Sequence, residues 1–143
     1  IHAAAIYCSD GRFGKQCDDF LDTALQLPRY DRLVIPGGSA CLAGHFDVFR
    51  QADVIMDHIA FLMRVHGLEK MVLIAHENCA FYSQQLGVSP DRVNAQQRED
   101  LYAAAGRIRN THKSLSVEGY FAALCDGRIS FEPVALREDH PGW

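Results

Sequence analysis

The apolar positions of the chain form short continuous runs separated by stretches with helical periodicity. Runs at residues 3–7, 32–35 and 71–75 predict three strands. These runs are continuous rather than alternating, which is typical of strands buried on both faces of a parallel sheet. Between them, apolar residues at helical spacing predict one helix over 15–27 and a longer one over 46–65.

The segment after the third strand predicts a polar helix. Ser89 followed by Pro90 is typical of a helix start, because serine caps the first turn and proline fits its first position. The helix is expected to run to about His112. It carries few large apolar residues, so we expect it to lie at the periphery of the fold.

A hairpin closes the predicted sheet. Residues 116–124 return to a strand pattern, and Asp126-Gly127 predicts a tight turn into a last strand over 129–136. Pro133 lacks a backbone N–H and therefore marks that strand as an edge. The order of elements predicts an α/β fold with a mainly parallel central β-sheet, flanking helices and an antiparallel C-terminal hairpin edge. We expect residues 1–143 to form one domain.

Composition narrows the class of partner and compartment. The 143 residues are 48% hydrophobic and 22% charged, with a formal net charge of -4. A negative chain without a basic cluster is not expected to bind nucleic acid or an anionic membrane. No apolar run approaches the roughly 20 residues of a membrane span, and no signal peptide pattern opens the sequence. Five scattered cysteines favour a reducing compartment, with the cytoplasm as the default.

Three potential metal ligands follow two of the predicted strands. Cys8 comes directly after the first strand, and His76 and Cys79 follow the third in an H-x-x-C spacing. The carboxyl ends of parallel strands meet at one edge of a sheet, so neighbouring strands would bring these side chains together. Two thiolates and one imidazole suit zinc, and three protein ligands leave a fourth position for chemistry. The plain alternative is that each cysteine is a buried core residue.

Asp10 and Arg12 lie just beyond Cys8. Residues two apart in an extended segment point the same way, and an arginine fork can hold a carboxylate in its ionised form. Asp10 is therefore predicted either to accept a hydrogen bond from zinc-bound water or to take the fourth zinc position itself. The plain alternative is a turn at Asp10 and a solvated charge at Arg12.

Two motifs in this order resemble the β-class carbonic anhydrases. The C-x-D-x-R pattern stands at Cys8, Asp10 and Arg12, and the H-x-x-C pattern stands at His76 and Cys79. Residues 67–76 are similar to that family's third strand, and residues 119–131 to its closing hairpin. The resemblance implies Zn²⁺ held by Cys8, His76 and Cys79, with Asp10 and Arg12 as the catalytic pair.

The same resemblance implies an activity and an assembly. A carbonic anhydrase-type zinc lyase hydrates carbon dioxide reversibly to bicarbonate, using hydroxide bound to zinc. Carbon dioxide and bicarbonate would be the small-molecule substrates, and the residue that shuttles the proton is left open. A homodimer or a higher homo-oligomer is implied, with the sites near the subunit boundary.

The sequence departs from the family pattern beside the expected ligands. Ala75 and Ala80 stand where the family usually has glycine, and Phe81-Tyr82 could fill space that substrate or a neighbouring loop normally uses. The loop at residues 36–39 lacks the arginine and asparagine that are typical there. These departures motivate two alternatives: a zinc hydrolase of carbonyl sulfide or carbon disulfide, and a non-catalytic zinc-binding module on the same fold.

Overall fold

The computed structural model describes residues 1–136, and the predicted domain extends beyond them to residues 137–143. A five-stranded sheet has the order β2-β1-β3-β4-β5. Its strands are β1 (Ala3–Cys8), β2 (Asp31–Ile35), β3 (Lys70–His76), β4 (Ser116–Cys125) and β5 (Arg128–Val134). The first four strands in this spatial order are parallel, and β5 is antiparallel to β4. The predicted fold class is confirmed.

The strands at the centre of the sheet are buried as their sequences predict. In β1 and β3 the apolar runs at 3–7 and 71–74 are buried on both faces. The prediction of a fully buried second strand is wrong, because β2 lies at the edge of the sheet and has only one neighbouring strand. Val34 of β2 is 40% exposed.

Three α-helices cover the two faces of the sheet. They are α1 (Gly14–Asp19), α2 (Phe49–His66) and α3 (Val93–Thr111). A π-helical turn at Phe20–Ala24 continues α1, and other short helices cover Gly38–Ala43, Phe46–Val48, Phe81–Gln85 and Pro90–Arg92. Gly67 ends α2 in the left-handed region with φ 59°, and its N–H donates to the Met63 carbonyl oxygen at 3.0 Å.

Alternate residues of the central strands enter different cores. Ile6 and Leu73 pack with α2 and α3 on one face of the sheet. Tyr7 and Ile74 pack on the other face with Leu21, which follows α1. This alternation follows from the two-residue period of a strand. The carboxyl ends of the parallel strands lie together at one edge of the sheet.

The position of α3 differs from the prediction of a peripheral helix. Leu101, Ala104, Ala105 and Ile108 are almost completely buried against the sheet core. Alanines let the helix approach β3 and β4 closely, so few large apolar side chains are needed to bury it. The polar side chains of Gln97 and Asp100 are also buried.

The hairpin agrees with the sequence pattern. Asp126 and Gly127 both have positive φ values, 51° and 74°, as a tight two-residue turn requires. Pro133 lies on the edge strand β5, opposite Tyr120. Within residues 1–136, no helix combines the length and the apolar character needed to cross a membrane.

Candidate metal centre

Three metal-ligating side chains converge at the carboxyl ends of β1 and β3. The ligand atoms of Cys8, His76 and Cys79 all lie within 4.8 Å of one another. The two cysteine sulfurs are 3.9 Å apart. β1 and β3 are adjacent and parallel, with Tyr7 opposite Ile74, so their ends lie side by side. The structure thus brings together the three side chains that the sequence predicted as ligands.

The imidazole of His76 is oriented for metal binding. Its Nδ1 lies 3.0 Å from the Glu77 carbonyl oxygen, which can only accept, so Nδ1 carries the proton and donates. The ring stacks on Phe13 with centroids 4.5 Å apart. Nε2 is buried and has no hydrogen-bond partner among residues 1–136. A buried acceptor without a partner costs about 1–3 kcal/mol, and a metal ion at Nε2 would remove that cost.

The thiols of Cys8 and Cys79 face each other as a hydrogen-bonded pair. The pKa of Cys8 is lowered, chiefly by the hydrogen bond from Cys79, and the Gly37 N–H 3.4 Å from its sulfur acts in the same direction. Cys8 and burial raise the pKa of Cys79, while the backbone N–H groups of Phe81 and Tyr82 oppose that rise. A divalent cation would displace the thiol protons and bind both sulfurs as thiolates. This donor set fits zinc.

Asp10 is held beside the ligands by Arg12. The Arg12 Nη2 donates to Asp10 Oδ2 at 2.7 Å, and the Arg12 backbone N–H donates to Oδ1 at 2.9 Å. The hydrogen bonds from Arg12 lower the pKa of Asp10 to about 2. Asp10 Oδ2 lies 3.9 Å from His76 Nε2. A permanently ionised carboxylate therefore stands at the edge of the three-ligand cluster.

The glycine loop after β2 packs directly against Cys8. Gly38 has a positive φ of 56°, and a Cβ there would come within 3.2 Å of the Cys8 backbone nitrogen. Gly37 has a φ of 80°, and a Cβ there would overlap the Phe81 ring. Phe81 thus fills the space over this loop, as its bulk after Cys79 suggested. Only glycine fits the contact at either position without strain.

Helix α3 holds the segment that carries His76 and Cys79. The Asn94 Oδ1 accepts a hydrogen bond from the Asn78 backbone N–H at 2.9 Å. Gln97 accepts from the His76 N–H at 3.3 Å and donates to the His76 carbonyl oxygen at 2.6 Å. Asp100 accepts from the Tyr82 hydroxyl at 2.6 Å.

Sequence reasoning missed these supporting residues of α3. The available signal was the spacing of Asn94, Gln97 and Asp100, which are three residues apart on a helix with few large apolar positions. Buried polar side chains at such a spacing need partners, and the ligand segment supplies them. Glu77, which follows His76 directly, contacts the imidazole through its backbone carbonyl oxygen.

A comparison of the sequence with known families gives one match over nearly the whole chain. Residues 1–134 match the family model described as "Putative carbonic anhydrase". No curated protein matches the chain.

Solved structures with similar folds are β-carbonic anhydrases from fungi and a protozoan. One is from a study of two tetrameric enzymes of Sordaria macrospora. It has 16% sequence identity and a TM-score of 0.55, and the match covers 91% of this chain and 79% of that chain. CafA of Aspergillus fumigatus has 16% identity over 96% and 78% of the two chains, with TM-score 0.57. Isoform I of Trichomonas vaginalis has 15% identity over 93% and 82%, with TM-score 0.52. At these identities the likeness shows a shared fold.

Proposed function

The chain belongs to this carbonic anhydrase family, and on that premise we propose that it is a zinc-dependent carbonic anhydrase acting in the cytoplasm. The observation that carries the proposal is the cluster of Cys8, His76 and Cys79, whose ligand atoms lie within 4.8 Å of one another, with His76 Nε2 buried and without a hydrogen-bond partner among residues 1–136. A structural zinc site would use a fourth protein ligand, whereas three are typical of catalytic sites.

Each polar group of the site has a distinct role in the proposed reaction. Cys8, His76 and Cys79 would hold Zn²⁺, which when bound supplies a Lewis acid that makes hydroxide available near neutral pH. Asp10 accepts a hydrogen bond from the attacking oxygen nucleophile and so orients its lone pair toward the carbon of carbon dioxide. Arg12 keeps Asp10 ionised and fixed in place.

The decisive test is stopped-flow hydration of carbon dioxide by protein whose zinc content has been measured. We expect turnover that scales with the fraction of chains carrying zinc, and bicarbonate dehydration in the reverse direction. Zinc-loaded protein that hydrates carbon dioxide no faster than buffer would refute the proposed activity. It would leave the non-catalytic zinc module as the better interpretation.

An apolar groove beside the site favours a second candidate function. The groove has a volume of about 670 Å³ and is lined in part by Ile35, Pro36, Val54 and Phe81. Such a surface suits a larger and more polarisable linear electrophile, so carbonyl sulfide or carbon disulfide is the alternative substrate. Sulfide release from either compound, measured on the same zinc-loaded protein, separates this hydrolase from the first candidate.

We also propose that the chain forms a homo-oligomer. Edge strand β2 and helix α2 leave apolar side chains open to solvent, with Val34 40%, Phe49 52%, Val54 53% and Phe61 51% exposed. A second copy of the chain could cover them, and the enzymes of Sordaria macrospora are described as tetrameric. Light scattering after gel filtration gives the mass directly, and a monomer at micromolar concentration would contradict this part of the proposal.

A further inference from the structure

Buried Asp100 on α3 links the two halves of the candidate metal centre, which are the Cys8 side and the side that carries His76 and Cys79. Its side chain is 7% exposed. Asp100 Oδ2 lies 2.6 Å from the Tyr82 hydroxyl and 2.6 Å from His45 Nε2. Asp100 Oδ1 accepts from the Gln96 side-chain amide at 2.9 Å. A carboxylate can only accept hydrogen bonds, so all three partners donate to it, and both of its oxygens are engaged.

The Tyr82 end of this network reaches Cys79. The Tyr82 backbone N–H donates to the Cys79 carbonyl oxygen at 3.1 Å. The position of Tyr82 is therefore tied to the backbone of Cys79.

The His45 end of the network reaches the side of Cys8. His45 follows the short helix Gly38–Ala43, which packs against α3. That helix begins directly after Gly37, whose N–H donates to the Cys8 sulfur. Asp100 thus ties the loop on the Cys8 side and the segment on the Cys79 side to one helix.

We propose that Asp100 is a positioning residue that, with Gln97 and Asn94, holds residues 76–82 in their metal-binding shape before the ion arrives. The proposal rests on the proposed zinc site. It adds that the site is preorganised by α3, so the ion does not have to order the segment when it binds. Preorganisation of this kind increases metal affinity, because the ordering entropy is lost during folding and not during binding.

Hydrogen exchange of the metal-free protein tests the ordering without any zinc. In the wild type, we expect slow exchange at backbone amides that donate to carbonyl groups of the segment, such as those of Tyr82 and, just after it, Leu86. Tyr82→Phe removes only the hydroxyl that bonds Asp100, and exchange there should become about ten-fold faster. Tyr120→Phe is the matched control, because its hydroxyl bonds Glu118 on β4, away from α3. Equal exchange in the wild type and Tyr82→Phe would overturn the proposal.

Zinc affinity, measured by competition with a chromophoric chelator, gives the second readout. Tyr82→Phe and Asp100→Leu should each bind zinc about ten-fold more weakly. This is the lower end of the loss in metal affinity that is usual when a residue supporting a ligand is changed. Asp100→Asn should stay close to the wild type, because its amide oxygen can accept from Tyr82 and His45 while Gln96 turns its own amide to accept. Where Asp100→Leu does not fold, the comparison of Tyr82→Phe with Asp100→Asn still decides.

The outcomes separate this proposal from the proposed function. Wild-type affinity in Tyr82→Phe overturns the role of Asp100, even if the protein is an active enzyme. A wild type that binds no zinc refutes the proposed function, while the exchange experiment still decides whether α3 orders the segment. Glu99→Gln is a further control. It removes a charge from the same helix at an exposed position next to Asp100, and it should alter neither amide exchange nor zinc affinity.

Discussion

The two halves of the candidate metal centre are supported in different ways. Cys8 stands at the end of a buried strand, and the polar support of its sulfur from the neighbouring loop is the backbone N–H of Gly37. His76 and Cys79 lie on a segment that is held by side chains from α3. One half therefore depends on glycine geometry, and the other depends on buried side-chain hydrogen bonds. Substitutions that act on one half only can test this difference.

The largest effect is expected when either half loses one of its proposed ligands. Cys8→Ser and Cys79→Ser each replace a thiolate by a hydroxyl that zinc binds poorly, so zinc affinity should fall by a factor of about 100 or more. Zinc content after dialysis, measured by atomic emission, checks this. Cys125→Ser is the control, because Cys125 is exposed and does not belong to the cluster of Cys8, His76 and Cys79. Full zinc content in either ligand variant would contradict the assigned ligand set.

The next largest effect is expected for Asp10→Asn, which should lower turnover while zinc stays bound. Asp10→Asn keeps the size of the side chain but removes the charge that Arg12 holds 2.7 Å away. We expect carbon dioxide hydration to fall by a factor of about 100 or more, as for the loss of a general acid–base group, with zinc content unchanged. The pKa of Asp10 is about 2, so protonation of this group should not limit activity at any ordinary assay pH. Full turnover by Asp10→Asn would contradict its role.

The sequence was sufficient to predict that Cys8, His76 and Cys79 lie together, because their signal is local. A continuous apolar run ends at Cys8, another ends at His76, and the rule for the ends of parallel strands brings them to one rim. The order of the elements likewise predicted the sheet and its hairpin edge, which the structure confirms.

The supports of the site were missed because they depend on tertiary contacts, which the spacing of polar residues on α3 does not specify. The polar pattern of α3 predicted a peripheral helix, since buried and solvated polar side chains look alike in a sequence. Gln97 and Asp100 are buried, and each has a hydrogen-bond partner on the ligand segment. The exposure of β2 was also missed, because an apolar run does not show whether its strand has one neighbour or two.

The Cys8 half can be disturbed separately through its glycine loop. Gly37→Ala adds a methyl group at φ 80° that would overlap the Phe81 ring, so we expect a loss of stability of about 1–3 kcal/mol. Urea unfolding measures this. Gly11→Ala is the control, because a Cβ there would meet nothing within 4 Å and its φ is not in the left-handed region.

A double variant separates the two causes of that loss. Phe81→Ala in the Gly37→Ala background should recover the part that comes from the overlap but not the part that comes from the positive φ. The amide exchange of residues 76–82 should change less in Gly37→Ala than in Tyr82→Phe, if the two halves are supported independently. A Gly37→Ala protein as stable as the Gly11→Ala control would contradict the tight contact between this loop and Phe81.

The smallest effect is expected at Glu77, between the two ligands of the second half. Its carboxylate accepts a hydrogen bond from the Leu124 N–H at 2.8 Å, whereas His76 Nδ1 donates to the Glu77 backbone carbonyl. Glu77→Gln keeps the carbonyl and leaves a side-chain oxygen to accept from Leu124. Stability should therefore change by less than about 0.5 kcal/mol in urea unfolding, and zinc affinity should not change. A ten-fold weaker zinc affinity would mean that the charge of Glu77 acts on the site, and that α3 is not the main support of this half.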